Sequence, residues 1–254
     1  MSKFIKQLFF YAAMLVIWQA IASFKIWPEY VFPSPLRVCY ALADGFMDKS
    51  FIIAIATSMR RILVGYLISI MLGFAIGVLM GKFKLVDDML SGLILGLQTL
   101  PSICWLPLAL IWFGLNERAI IFVVIMGALF SITIATESSI KNTPSIYTRV
   151  GKNIGAHRFV LLREVIIPAA FPHLLSGLKQ GWSFAWRSLM AGELLFASMG
   201  LGYLLMMGRE LNDMSQVMAV MIVVAALSIL VDRIFFGKIE SDIRKRWGVG
   251  WRVR

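Results

Sequence analysis

The feature that most constrains this chain is that its apolar residues come in blocks about as long as a bilayer is thick. A helix rises about 1.5 Å per residue, so roughly 20 apolar residues cross the hydrocarbon. Six stretches qualify: 8–24, 58–80, 86–113 (interrupted), 119–137, 166–195 and 214–236. Only 15% of the 254 residues are charged and the mean hydropathy is +0.81, whereas a soluble chain is near a quarter charged. The expectation is an all-α polytopic membrane protein, six transmembrane helices in a single domain spanning 1–254.

The first residues also resemble a secretory signal. Lys3 and Lys6 precede an apolar stretch from Leu8, and Ala20-Ile21-Ala22 offers a cleavage site. Trp18 and Gln19 fit such a site poorly, so an uncleaved first span bracketed by Lys6 and Lys25 is the expectation. Segment 25–57 is amphipathic, and the prolines of "WPEYVFPSP" forbid a continuous helix over 27–35. A short interfacial helix fits after them.

Lysine and arginine set the orientation. With the N-terminus inside, sixteen of the 25 basic residues fall on inner segments and seven on outer ones; Lys179 and Arg187 lie within a span. This bias places both termini in the cytoplasm. It also accounts for the net charge of +11 without nucleic acid as a partner, since basic inner loops meet anionic lipid. Arg60 and Arg61 fall at the outer edge of the second span, where snorkelling to the headgroups would make them tolerable. Residues 138–165 become the longest cytoplasmic loop.

Catalytic patterns are missing from the sequence. There is no HExxH, CxxC or nucleophile elbow, and Cys39 and Cys104 stand in unrelated contexts that imply neither disulfide nor metal. His157 and His173 are likewise too far apart in context for a metal pair. "GVLMGKF" at 77–83 is one residue short of a phosphate-binding loop and has Phe83 where Ser or Thr would hold magnesium. Gly73, Gly77 and Gly81 recur every four residues, which places them on one helix face for close packing. The chain is therefore expected to bind no cofactor of its own.

The loop 138–165 holds more information. A short helix can start at Ser145, Gly151 and Gly155 interrupt or turn it, and an amphipathic stretch follows from Arg158 to Glu164. Pro168 then suits the first turn of the fifth span. Gly155, Val165, Ile167 and Pro168 match, at the right spacing, the loop motif E-A-A-x3-G-x9-I-x-L-P of ABC importer permeases. Arg149, Val150 and Gly151 stand where that motif has Glu-Ala-Ala. Other stretches are similar in order along the chain: "FPSP" at 32–35, "SMRRILVGY" at 58–66, "LPSICWLPLALIWFG" at 100–114, "WRSLMAGELL" at 186–195, "GLGYLL" at 200–205 and "LVDRIFFGKIESDIRKRWG" at 230–248. The chain thus resembles the permease subunits that serve nitrate, sulfonate and taurine uptake.

That resemblance implies a type I importer permease fold in the bacterial inner membrane. It implies two cytoplasmic ATPase subunits that carry ATP and Mg, a homodimer of this chain, and an extracytoplasmic binding protein that delivers the solute. Permeases for vitamin or pyrimidine precursors look similar and remain the alternative. The resemblance makes 138–165 a coupling loop, with Arg149, Gly151, Gly155, Ala156, His157, Arg158, Phe159, Leu162 and Pro168 as ATPase-facing positions and Leu161 as a further apolar anchor.

Polar residues inside spans are the leads for a transport path. Lys179, Gln180, Arg187 and Glu193 lie in the fifth span, where they line a path or pair with neighbouring helices. Gln98, Thr99 and Pro101 break the third span, either lining a cavity or kinking the helix. Trp105, Trp182 and Trp186 read as packing or interfacial residues, and His173 as a cap or packing residue. A stand-alone secondary transporter would more often show inverted repeats and intramembrane carboxylates, and a membrane enzyme would show clustered acids, bases or ligands. Glu193 is the only well-placed carboxylate.

Overall fold

A computed structural model describes residues 3–196 and 198–247. The described residues are almost wholly helical, and the chain forms two compact units, Met1–Ser58 with Glu193–Ala226 and Met59–Gly192 with Leu227–Arg254. Among the described residues, five helical stretches are long and apolar enough to cross a membrane: Ile5–Ser23, Ser50–Lys82, Glu117–Lys141, Leu161–Leu195 and Met214–Ile243. The sixth is a broken pair, Lys84–Thr99 and Ser102–Phe113, bent by 102°. These are the six blocks read from the sequence, the interrupted third included.

In the first unit, α1 (Lys3–Ser23) turns a row of large apolar side chains outward, with Phe9 and Val16 about 70% exposed. That is the surface a lipid-facing helix presents. Trp18 Nε1 donates to the Pro33 carbonyl at 3.0 Å and ties α1 to the irregular proline segment. The short helix expected after that segment is α2 (Pro35–Met47): Ser34 caps it through a hydrogen bond from Arg37 N, and Pro35 opens its first turn. Phe51, buried at the start of α3 (Ser50–Lys82), packs on Gly45 of α2.

The second unit is organised around α6 (Glu117–Lys141), whose Ala119, Val123, Val124, Ala128 and Ile132 are fully buried. A helix apolar on every side belongs at the centre of a bundle. α3 lies against it through the four-residue glycine row: a Cβ on Gly77 would stand 2.5 Å from Thr136 Cβ, and Gly73 and Gly81 similarly face Ile132 and Ile140. Ahead of α6 come α4 (Lys84–Thr99), a 3-10 turn at Ser102–Trp105 and α5 (Leu106–Phe113). Leu100 and Pro101 leave the helical path at the corner.

Two local expectations change. Arg60 and Arg61 gain a protein partner: both reach Glu117, Arg60 at 2.5 Å and the buried Arg61 at 3.1 Å. Glu117 opens α6, where the helix dipole also favours a negative charge. Pro168 does not start a helix afresh. The chain is already helical from Arg158 (α8, Arg158–Val160), widens into a π-turn over Leu161–Ile166 and continues as α9 (Ile167–Phe196). In the wide turn the Ile167 N–H bonds to the Leu162 carbonyl, which shifts the register just before the proline that has no N–H to give.

The glycine row makes a direct prediction. Gly77→Val overpacks the α3–α6 contact and should lower stability by about 1–3 kcal/mol, seen as a lower thermal midpoint of the detergent-purified protein. Gly92, with nothing within 4 Å of its absent Cβ, should accept alanine with no loss. Equal losses in the two variants would contradict this packing.

Candidate translocation site

On α9 every exposed residue from Ile167 to Leu194 is polar: His173, Ser176, Gln180, Ser183 and Arg187. Their spacing of three, four, three and four places them in one row along the helix, about 21 Å from end to end at 1.5 Å per residue. The opposite side is packed. Trp182 and Trp186 are buried with ring centroids 6.1 Å apart, Tyr66 stacks edge-on against Trp182, and its hydroxyl donates to the Leu178 carbonyl at 2.7 Å. Leu174, Leu175, Ala185 and Leu189 complete that side.

A cavity opens at each end of the row. At one end, about 180 Å³ is bounded by His173, Ser176 and Gln180 of α9 and by Ser138, Ser139 and Asn142 at the end of α6. At the other, about 320 Å³ is bounded by Arg187 and Ser188 of α9 and by Gln98, Thr99, Pro101 and Ser102 at the corner between α4 and α5. The helix break thus brings the residues of the third span onto the polar face of the fifth. An arginine at the centre of a lipid-facing helix costs about 2.5–3.5 kcal/mol on insertion scales. Five consecutive polar positions on one face therefore mark water or protein, rather than lipid, as their surroundings.

The loop 138–165 is itself a helical hairpin. α7 (Ser145–Asn153) runs through Gly151, and a chain reversal follows at Gly155, whose φ of 84° is the left-handed conformation that favours glycine. Gly151 does not interrupt the helix. It is buried, and its missing side chain makes room for Leu161, whose Cδ1 is 2.5 Å from where a Cβ would stand. Leu161 is consequently held inside the hairpin and is no outward anchor. Ile146, Tyr147 and Val150 of α7 stay exposed, as do Ile154 just after it and Phe159 and Val160. Arg149, Lys152 and His157 are exposed beside them, while Ala156 and Leu162 are half-buried.

Residues 69–244 match the family described as the binding-protein-dependent transport system inner membrane component. A candidate ABC transporter permease protein of Methanocaldococcus jannaschii is 34% identical over 87% of this chain and 85% of its own length. The taurine transport system permease protein TauC of Escherichia coli is 28% identical over 87% of this chain and 82% of its own. The nitrate import permease protein NrtB of Synechocystis is 29% identical over 91% and 86%. Among solved structures, an inward-facing form of the MetNI methionine ABC transporter superposes with a TM-score of 0.64 at 18% identity, over 73% of this chain and 92% of that one. This chain belongs to the family of inner-membrane permeases of binding-protein-dependent ABC importers.

The permease places its remaining polar leads elsewhere. Lys179 turns off the polar row and pairs with Glu240 at 3.1 Å and Asp232 at 3.6 Å; these acids lie in the helix Gly237–Trp247 and in the π-turn that precedes it. Glu193 is buried in the first unit. Ser58 Oγ donates to its carboxylate at 2.8 Å, as does Gly202 N at 2.9 Å, and Leu201 N donates to Ser58 Oγ. These amides open the helix Leu201–Glu210 (α10), so Glu193 satisfies donors that the helix itself cannot. Gly200, at φ 127°, lets the backbone pass a carboxylate that any Cβ would strike.

Of the row on α9, the sequence singles out Gln180 and Arg187, while His173 reads there as a cap or packing residue. Ser176 and Ser183 escape that reading, as do Ser102 and Ser188 in the cavity. The signal is present as a polar heptad pattern, 173-176-180-183-187, within the fifth span.

Glu193 makes the second prediction. Glu193→Ala strips the acceptor from Ser58 and from the first turn of α10, a loss of about 1.5–3 kcal/mol for bonds to a charged group. The amides of α10 should then exchange hydrogen faster than in the parent protein. Unchanged protection in α10 would contradict the capping role.

Proposed function

We propose that this permease works as a homodimer joined to two cytoplasmic ATPase subunits, and that the polar row of α9 lines the solute path. The observation that carries the reading is the polar exposed face of α9 between Ile167 and Leu194, with a cavity at each end. A two-fold axis is the simplest way for one chain with one coupling loop to engage two ATPase subunits. Facing the row toward a second copy across a wet path removes it from lipid. ATP and Mg belong to the ATPase subunits, and solute arrives from an extracytoplasmic binding protein. The chain sits in the inner membrane with both termini cytoplasmic, as the bias of Lys and Arg supports.

The hairpin 138–165 is the coupling element in this proposal. Ile146, Val150, Ile154 and Phe159 present an apolar surface, bordered by Arg149 and His157, of the kind that anchors an interface. Arg158 precedes Phe159 in the same segment. Gly155 sets the reversal between the two arms, and Gly151 locks them together through Leu161. Arg149 reverses the sign of the glutamate usual in the motif, so its counterpart on the ATPase is acidic. Closure of the ATPase pair on ATP would draw the two hairpins together and reorient the bundle. The solute is small and polar, of the nitrate, sulfonate or taurine type that the named relatives support.

Phe159→Asp and Ile154→Asp test the coupling. Each should leave the permease inserted and folded yet reduce the ATPase recovered with it about thirtyfold, the loss expected for an interface anchor worth about 2 kcal/mol. ATPase recovered at the parental level with both variants would overturn the assignment of this hairpin.

A further inference from the structure

The basic residues set into the membrane-spanning helices do not share one fate. Arg60 and Arg61 meet Glu117, and Lys179 meets Asp232 and Glu240. Arg187 has no carboxylate partner among the described residues, and no acidic residue borders its cavity. Its guanidinium carbon lies 5.6 Å from the centroid of the Phe184 ring, and its side chain makes no hydrogen bond among the described residues.

The hydroxyls around it are differently committed. Ser188 Oγ donates to the Phe184 carbonyl at 2.8 Å and Thr99 Oγ1 to the Gly96 carbonyl at 2.7 Å. Gln98 and Ser102 make no side-chain hydrogen bond among the described residues. The cavity thus holds one full positive charge, a forked set of N–H donors, an amide and a hydroxyl, with no negative group. Its size, about 320 Å³, lies at the small end of ligand sites.

We propose that this corner cavity is an anion subsite on the solute path: Arg187 holds an oxyanion through its N–H fork, and Gln98 and Ser102 complete the shell. The inference rests on the reading that the polar face of α9 lines the path. The chemical class is a small solute bearing a planar or tetrahedral oxyanion, such as nitrate or a sulfonate. The fork of arginine matches two oxygens of such a group, where an ammonium offers only a point charge. A cation is repelled, and a neutral solute leaves the guanidinium without a counter-charge. Arg187 lies nine residues from the end of α9, about 14 Å along the axis, and within the polar row. The site would make passage itself selective for charge, apart from any choice made by the binding protein.

A cysteine one helical turn away reads both claims. Ser183→Cys is placed in a Cys39→Ser, Cys104→Ser background, in the permease assembled with its ATPase in phosphatidylcholine nanodiscs. Its reaction rates with anionic sulfonatoethyl methanethiosulfonate and cationic trimethylammonioethyl methanethiosulfonate are compared, with and without nitrate. The sulfonate reagent should be favoured, and nitrate should slow it. Arg187→Gln should cut the anion-to-cation rate ratio about tenfold, as loss of one nearby unit charge in a wet site implies, and abolish the nitrate effect. Arg187→Lys should keep the ratio but weaken the nitrate effect. A reactive thiol at position 183 whose ratio and nitrate response are the same with Arg187 and with Gln overturns the anion site and leaves the path standing. A thiol there that reacts with neither reagent until the protein is unfolded overturns the path reading, and the anion site with it.

Discussion

Hydrocarbon offers no hydrogen bonds, so a membrane-spanning helix that turns His173, Ser176, Gln180, Ser183 and Arg187 outward on one face must meet something wet or polar there. Most of the architecture follows from satisfying that demand. The back of α9 is fixed by Trp182, Trp186 and the hydrogen bond from Tyr66, so the helix cannot rotate to hide its polar row. The corner between α4 and α5 brings further polar groups to one end, and the end of α6 brings them to the other.

α6 makes this arrangement rigid. Small residues allow two helices to approach it closely: the glycine row of α3 on one side, and Gly177 and Gly181 of α9 against Ala135 and Ile132 on another. Between helices in lipid, where apolar burial gives no advantage, close packing of this kind is the principal attraction. The hairpin 138–165 uses the same device at Gly151, and it is joined to α9 through the π-turn over Leu161–Ile166 without a break in the helix. In the proposed assembly a displacement of the hairpin would reach the polar row through a continuous element.

The number and order of the spans were legible because span length and apolar content are local properties. The broken third span was legible for the same reason, since Pro101 announces its own break. The partners of charged residues were not. Arg61 meets Glu117 across 56 positions, Lys179 meets Glu240 across 61, and Ser58 meets Glu193 across 135. Nothing in a span of sequence says which distant acid will stand opposite. Lys179, Arg187 and Glu193 therefore looked alike in the sequence. Only packing separates Lys179 and Glu193, which satisfy neighbouring groups, from Arg187, which meets no acid among the described residues. The row on α9 was legible in principle: serine and histidine each pass as packing residues singly, and only their shared spacing reveals a face.

The central claim is that this face of α9, and no other, borders an aqueous path in the assembled importer. Single cysteines placed in turn from 170 to 190 in the assembled permease, and labelled in native membranes with a membrane-impermeant thiol reagent, test it most directly. Labelling is expected to rise at 173, 176, 180, 183 and 187 and to fall between them, with the period of a helix. Uniformly absent labelling across that stretch, or maxima on the side of Leu178, Trp182 and Ala185, would contradict it.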